Sequence, residues 1–158
     1  MNYLLTDYAA HCDGSLWTRA LQAAVDACAA QGGGVVVVPP GTYLSGGVEL
    51  RSHVTLEITE GAVLQGSPDL SDYPVVPFVH NEFKEVRSLL WAIGQRDIRL
   101  RGAGVIDFNH PAFMEMDQPD LRDRDAANYP LYNERQRSEM TVVAKARPSQ
   151  PIFLHDCE

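Results

Sequence analysis

The sequence predicts an all-β fold in which the chain coils into a parallel β-helix behind an N-terminal capping helix. Three observations predict it. Apolar strands of three to five residues recur along the chain, most of them set apart by glycine, serine or asparagine turns. No Asn-Gly or Asp-Gly turn joins them into hairpins, and they are shorter than hairpin sheets usually use. Their apolar positions return from one turn of chain to the next, as a stacked solenoid core requires.

Bulk properties agree with a single domain over residues 1–158. The chain is 45% hydrophobic and 22% charged, enough to bury a core. Its formal net charge of -8 repels nucleic acid and anionic membranes, and no basic block forms to reverse that locally. Cys12, Cys28 and Cys157 are scattered without metal-ligand or redox spacing and read as reduced packing thiols. The opening "MNYLLTDYAAHCDG" has neither the basic nor the apolar region of a signal peptide, and no apolar run reaches membrane-spanning length. A cytoplasmic location is the expectation.

The first element is a helix over residues 15–31. Trp17, Leu21, Ala24, Val25 and Cys28 share one face, and Ser15 or Asp13 is placed to cap it. Gly32 to Gly34 stop the helix, because a glycine there accepts the left-handed conformation that closes a last turn. They are not a phosphate loop: they end a helix instead of opening one, and no G-K-[ST] follows. Val35 to Val38, β-branched without polar alternation, form a strand buried on both faces or one continuing a stacked core; they begin the first rung, and Pro39-Pro40-Gly41 end it.

Further strands follow as "TYL" (Thr42 to Leu44), "VEL" (Val48 to Leu50), "VTLEI" (Val54 to Ile58) and "VLQG" (Val63 to Gly66). "IRL" (Ile98 to Leu100), "VID" (Val105 to Asp107) and "IFL" (Ile152 to Leu154) complete the set. Residues 111–146, with "DLRDRD" and "NERQRSEM" at their centre, lack periodicity and read as a long loop.

Asp107, Asn109 and His110 are the most chemical-looking cluster. A carboxylate and an imidazole at this spacing serve acid-base work, yet the same string is ordinary turn chemistry, with side chains bonding nearby backbone. Arg99 and Arg101 alternate with Ile98 and Leu100, so the arginines face outward, most simply as a solvated face. The five histidines never reach metal-ligand spacing, and no metal is expected. His155, Asp156 and Cys157 read as a rung turning outward.

The run "AAVDACAAQGGGVVVVPPGTYLSGGVELRSHVTLEITEGAVLQGSPDLSDYP" (Ala23 to Pro74) resembles the N-terminal part of glycoside hydrolase family 28, the polygalacturonase-like pectin hydrolases. So do "GAGVIDF" (Gly102 to Phe108) and "RPSQPIFLHDCE" (Arg147 to Glu158), so that the resemblance covers nearly the whole chain. It implies a right-handed, pectin-lyase-like β-helix and a parent enzyme that cleaves galacturonide linkages of pectic oligo- or polysaccharides with inversion, without a cofactor. In that chemistry two carboxyl groups about 6.5 to 9.5 Å apart leave room for the attacking water. The chain departs from the family in "DYAAHCDGSLWT", where a Phe-Gly-Ala and an Asp are usual, and in Phe108-Asn109-His110-Pro111, where a glycine-rich turn is frequent.

The family's carboxylates lie in Asn-Thr-Asp and Asp-Asp motifs, followed by Gly-His-Gly and Arg-Ile-Lys. None of these strings occurs here, so no catalytic residue is assigned and the chain alone is expected to be silent. Asp107, Asn109, His110 and Arg147 remain as substrate-binding candidates. Arg99 and Arg101 would meet uronate carboxylates if they faced the substrate. The long loop would wall a sugar groove, with Tyr129, Tyr132 or Trp91 stacking on a ring, although Trp91 within "SLLWAIG" reads first as core. Two other readings stand beside this one: a pectate-lyase-like enzyme using calcium, and a non-enzymatic carbohydrate-binding β-helix of adhesin or tailspike type.

Overall fold

The computed structural model describes residues 1–78, 85–116, 142–144 and 147–158. They form two compact units, one from Met1–Asn109 with Pro148–Glu158 and one within His110–Arg147. The first unit opens with β1 (Asn2–Leu4), a 3-10 stretch at Leu5–His11 and α1 (Thr18–Ala30). Three coils follow. The first is β2 (Gly34–Val38), β3 (Gly41–Ser45) and β4 (Val48–Glu49), and the second is β5 (Val54–Ile58), β6 (Ala62–Gly66) and β7 (Ser88–Ile93). The third begins with β8 (Arg99–Arg101) and β9 (Val105–Asp107). The chain then enters the second unit, whose strands β10 (Met114–Met116) and β11 (Val142–Ala144) pair antiparallel, and returns as β12 (Gln150–His155) to finish the coil.

Each coil adds one strand to each of three sheets: β1-β2-β5-β8, β3-β6-β9 and β4-β7-β12. Every pairing in them is parallel, and the architecture is a right-handed parallel β-helix. Register places like on like. Val36 lies beside Leu56 and Leu56 beside Leu100; Tyr43, Leu64 and Ile106 form a second inward stack, and Val48, Leu90 and Ile152 a third. Burial falls along these stacks. Val36, Leu56, Leu64, Val48 and Leu90 are fully buried, whereas Leu100 and Ile106 are half-buried and Ile152 and Leu154 are 38% and 49% exposed. The third coil has no further coil over it among the described residues, so its inward side chains are covered on one side only.

The apolar face of α1, formed by Ala20, Leu21, Ala24, Val25 and Cys28, is buried at the helical spacing expected. Its start differs from the expectation that Ser15 or Asp13 caps it. The helix begins at Thr18 behind Trp17 with no side-chain cap. Asp13 and Leu16 instead exchange backbone hydrogen bonds of 3.0 Å, and the Asp13 carboxylate takes Arg19 at 3.1 Å. That tight pair holds Leu16 in a parallel bridge to Leu44, and Trp17 N–H donates to the Leu44 carbonyl at 2.7 Å. Tertiary pairing has replaced a local cap.

The glycine stop works as read from the sequence. Gly32 and Gly33 donate to Ala29 and Cys28 carbonyls, and Gly33 has a φ of 103°. A Cβ on Gly33 would lie 2.4 Å from the His53 carbonyl oxygen, so the next coil's turn also requires a glycine. The strand after it begins the first three-strand coil, and β1, which was not expected, lies parallel alongside β2 and extends that sheet at Asn2–Leu4. A whole strand was also missing from the sequence reading. β7 is buried on both faces, with Leu89, Leu90, Trp91 and Ala92 all covered, so it carries no alternation to read. Within residues 111–146 the described parts include β10 and β11 where only a loop was expected; Tyr129 and Tyr132 lie outside the described residues.

Two consequences are measurable. Burial pushes the Cys28 thiol up, so little thiolate is present at neutral pH; alkylation of the native chain should label Cys12 and Cys157 first, and equal rates would show that α1 is not docked. Leu56 is enclosed by the coils before and after it, and Leu56→Ala should cost about 2–5 kcal/mol in chemical denaturation.

Candidate functional site

The connection between the second and third sheets lengthens with each coil. It is residues 46–47 in the first, 67–87 in the second and 108–149 in the third, so all the added chain leaves at one corner. In solenoids, insertions gathered on one side mark the side that binds. The third sheet lies immediately after that corner. Alternation along its strands turns Glu49, Leu89, Trp91, Ile93, Phe153 and His155 outward.

The described parts of the excursion, residues 67–78 and 85–87, lie against this outer face as the two sides of an arch. Its base is built from polar contacts. Ser67 donates to the Asp72 carboxylate, and Asp69 accepts from the Ser71 amide and hydroxyl at 2.8 and 2.7 Å, which holds the Asp69 carboxyl below its usual range. Tyr73 is fully buried and donates to the Ser67 carbonyl at 2.7 Å. Burial, with Asp72 beside it, pushes that phenol well above its usual range and keeps it a donor. At the other foot, Arg87 donates to the Tyr73 carbonyl and its backbone N–H to Ser149 Oγ at 3.1 Å. Across the arch Val76 N–H donates to the Val86 carbonyl at 2.8 Å.

Beneath the arch, Val76, Val86, Trp91 and Phe153 form a buried cluster with Phe78 and Ile93 packed on it. The Phe78 ring lies 5.2 Å from Phe153 and 4.3 Å from His155, and the His155 ring is within 15° of parallel to Phe153. His155 is exposed and Phe78 half-buried, so the cluster presents an imidazole and an aromatic ring at its rim. Such a rim can stack on an apolar ring face and hydrogen-bond at its edge. Among the described residues Trp91 Nε1 is buried without a hydrogen-bond partner, and no group of three His, Cys, Asp or Glu side chains is placed to hold a metal.

The residues singled out from sequence divide between the two units. Asp107 and Asn109 belong to the first. Asp107 Oδ1 accepts from the Asn109 amide at 2.8 Å and Oδ2 from Gln65 Nε2 at 3.0 Å; Asn109, at a φ of 52°, donates from Nδ2 to the Gly66 carbonyl at 3.0 Å. These are the bonds of a turn braced against the preceding coil. His110 starts the 3-10 turn His110–Phe113 of the second unit, and Arg147 is an exposed residue of the same unit. Arg99 and Arg101 are exposed on the first sheet, and Arg101 binds Glu57 through Nε and Nη2 at 3.0 and 2.6 Å, as a solvated face would. Trp91 is core. Phe78, Phe153 and His155 were not grouped from sequence; aligning "LLWAIG" with "PIFLHD" as stacked rungs would have paired Trp91 with Phe153 and Ile93 with His155.

No protein-family model matches the chain. It is 38% identical over 116 residues to an exo-poly-α-D-galacturonosidase of Dickeya chrysanthemi, a match covering 66% of this chain and 19% of that protein. It is 40% identical over 76 residues to a protein of Vitis vinifera named "Probable polygalacturonase", covering 46% of this chain and 16% of that one. Among solved structures, the family 28 exopolygalacturonase of Yersinia enterocolitica superposes over 99% of this chain and 33% of its own, with a TM-score of 0.67 and 25% identity. The chain thus spans less than a fifth of the length of the sequence relatives it matches. In sequence and in fold it is a polygalacturonase-like β-helix, similar to glycoside hydrolase family 28 over the part of those proteins that it spans.

Proposed function

We propose that the full-length protein to which this chain belongs hydrolyses galacturonide linkages of pectic polysaccharides with inversion, and that this chain supplies its first coils and part of its binding face. The observation that carries the reading is the 38% identity over 116 residues to a relative named for galacturonide cleavage. The corner of growing excursions and the aromatic rim on the adjoining sheet support a ring-binding surface there. The carboxylate motifs of the family do not occur in these residues, and in this proposal the chemistry is carried by parts of the full-length protein outside them.

Full-length protein incubated with polygalacturonate should release reducing ends, with the product first seen as the anomer opposite to the α-linkage. The 158-residue chain alone should release none. An ultraviolet-absorbing unsaturated product would replace hydrolysis with elimination, and binding without turnover would make the protein a carbohydrate-binding module.

In the full-length protein, Phe78→Ala and His155→Ala should each raise KM about three- to tenfold while leaving kcat little changed, the signature of lost uniform binding. Unchanged KM in both would remove the rim from the binding face.

A further inference from the structure

We propose that Arg87 is a positioning residue for the aromatic rim: its guanidinium ties the two sides of the arch together at their feet and thereby holds Phe78 against His155 and Phe153. The inference rests on the reading that this rim binds a sugar ring, and it names a residue that acts on that surface through Phe78. The rim is assembled from separate pieces of chain. Phe78 comes from the excursion of the second coil, whereas Phe153 and His155 come from the strand that completes the third. Ring separations of 5.2 Å from Phe78 to Phe153 and 4.3 Å to His155 therefore depend on a group bonded to both pieces, and Arg87 is such a group.

The main chain of Arg87 is held by the third coil. Its N–H donates to Ser149 Oγ at 3.1 Å and its carbonyl accepts from the Ser149 N–H at 2.9 Å, and Ser149 immediately precedes β12. Its side chain reaches the other way. Nη1 donates to the Tyr73 carbonyl, and Nε and Nη2 donate to Glu85 Oε2 at 3.2 and 3.0 Å. A guanidinium is planar and carries its donors in a fixed fork, so contact with Glu85 along one edge sets the direction of the donor that meets Tyr73. An ammonium has no such fork. The Arg87 side chain is only 24% exposed, so its charged bond to the carbonyl keeps more strength than it would in open water.

What Arg87 fixes at Tyr73 is carried to Phe78 because the span between them is stiff. It reads Tyr73-Pro74-Val75-Val76-Pro77-Phe78, and each proline locks its own φ and favours an extended residue before it, as Tyr73 is at a φ of -105° and a ψ of 109°. The near end of the span is seated. Gly47 N–H donates to the Asp72 carbonyl at 3.1 Å, and Pro74 packs so closely on Gly47 that a Cβ there would lie 2.8 Å from its Cδ. Further along, Val76 N–H donates to the Val86 carbonyl at 2.8 Å, and Phe78 N–H to the Val76 carbonyl at 2.7 Å. Tyr73 with Arg87 and Val76 with Val86 are thus successive cross-links between the same two sides of the arch, and Phe78 lies just beyond the second.

The test is a double-mutant cycle in the full-length protein, read in KM and kcat on polygalacturonate and in amide hydrogen exchange at Val76. Arg87→Lys keeps the charge and removes the fork. It should raise KM about three- to tenfold with kcat little changed, speed Val76 exchange by about tenfold, and leave exchange at Leu56 in the stacked core as it was. In a Phe78→Ala background the same substitution should change KM by less than about twofold, because the ring through which Arg87 acts is gone. Unchanged KM in Arg87→Lys, or an equal multiplication of KM with and without the Phe78 ring, would overturn the proposal. So would Leu56 exchange that rises together with Val76, the mark of general loosening. If Phe78→Ala itself leaves KM unchanged, the binding reading fails, and Val76 exchange then decides by itself whether Arg87 fixes the arch. If Arg87→Lys does not fold, Glu85→Ala, which frees one edge of the guanidinium from an exposed carboxylate, takes its place with the same readouts and the same outcomes.

Discussion

Parallel, in-register stacking of each coil on the one before is the constraint on which the rest of this structure depends. A strand of three to five residues buries almost nothing by itself, and no coil here has a core of its own. Leu56 is buried because Val36 and Leu100 are its register partners, and Leu64 because Tyr43 and Ile106 are. Stability is therefore a property of neighbouring coils, and an end coil is only half supplied with it. The two sides of the unit show the difference. Where the coils begin, β1, Leu16 and Gln22 satisfy the exposed edges, whereas at the third coil Ile152 and Leu154 meet no further coil among the described residues.

The same constraint governs the turns. His53, Asp97 and Asp156 all adopt positive φ, near 64°, 52° and 52°, at the corner that leads from the third sheet back toward the first. Each such corner is tied to the next: Ser52 donates from its amide and hydroxyl to Gln95 Oε1 at 2.8 and 2.7 Å, and His53 N–H donates to the Arg96 carbonyl at 2.9 Å. A side-chain ladder of this kind fixes one register per corner. Slipping by one residue would turn every inward aliphatic outward.

How much of this was legible depended on whether the information was local. β5 and β9 could be bounded to the residue because their apolar runs end at turn residues. β7 could not, because the arch covers its outer face and erases the alternation that marks a half-buried strand. The start of α1 was misplaced for a related reason: Asp13 looks like a cap in sequence, but Leu44, distant in the chain, claims the backbone beside it. Asp107 and Asn109 were legible as a turn whose side chains bond nearby backbone, beside the acid-base alternative; what the sequence did not show is that Gln65 and Gly66 of the preceding coil brace it. The aromatic rim needed the longest inference of all, since Phe153 and Trp91 become neighbours only once the register of β7 and β12 is known.

The unequal outer faces of the sheets follow from where the added chain leaves. On the first sheet the outward residues include Glu57, Arg99 and Arg101, charged groups of which Arg101 pairs with Glu57, and they require no cover. On the third sheet they include Leu89, Trp91 and Phe153, which would be unfavourable in water, and Val76, Phe78 and Val86 of the arch help remove Trp91 and Phe153 from it. An outward apolar face and an excursion long enough to cover it must therefore occur together, and they must occur beside the corner where the excursion originates. The arch leaves the rings of Phe78 and His155 at its margin, so the covered cluster serves as a rigid backing for two side chains that remain available. A binding surface built this way inherits its position from the coil register and its shape from the excursions, which lets the excursions vary while the stacked coils stay the same.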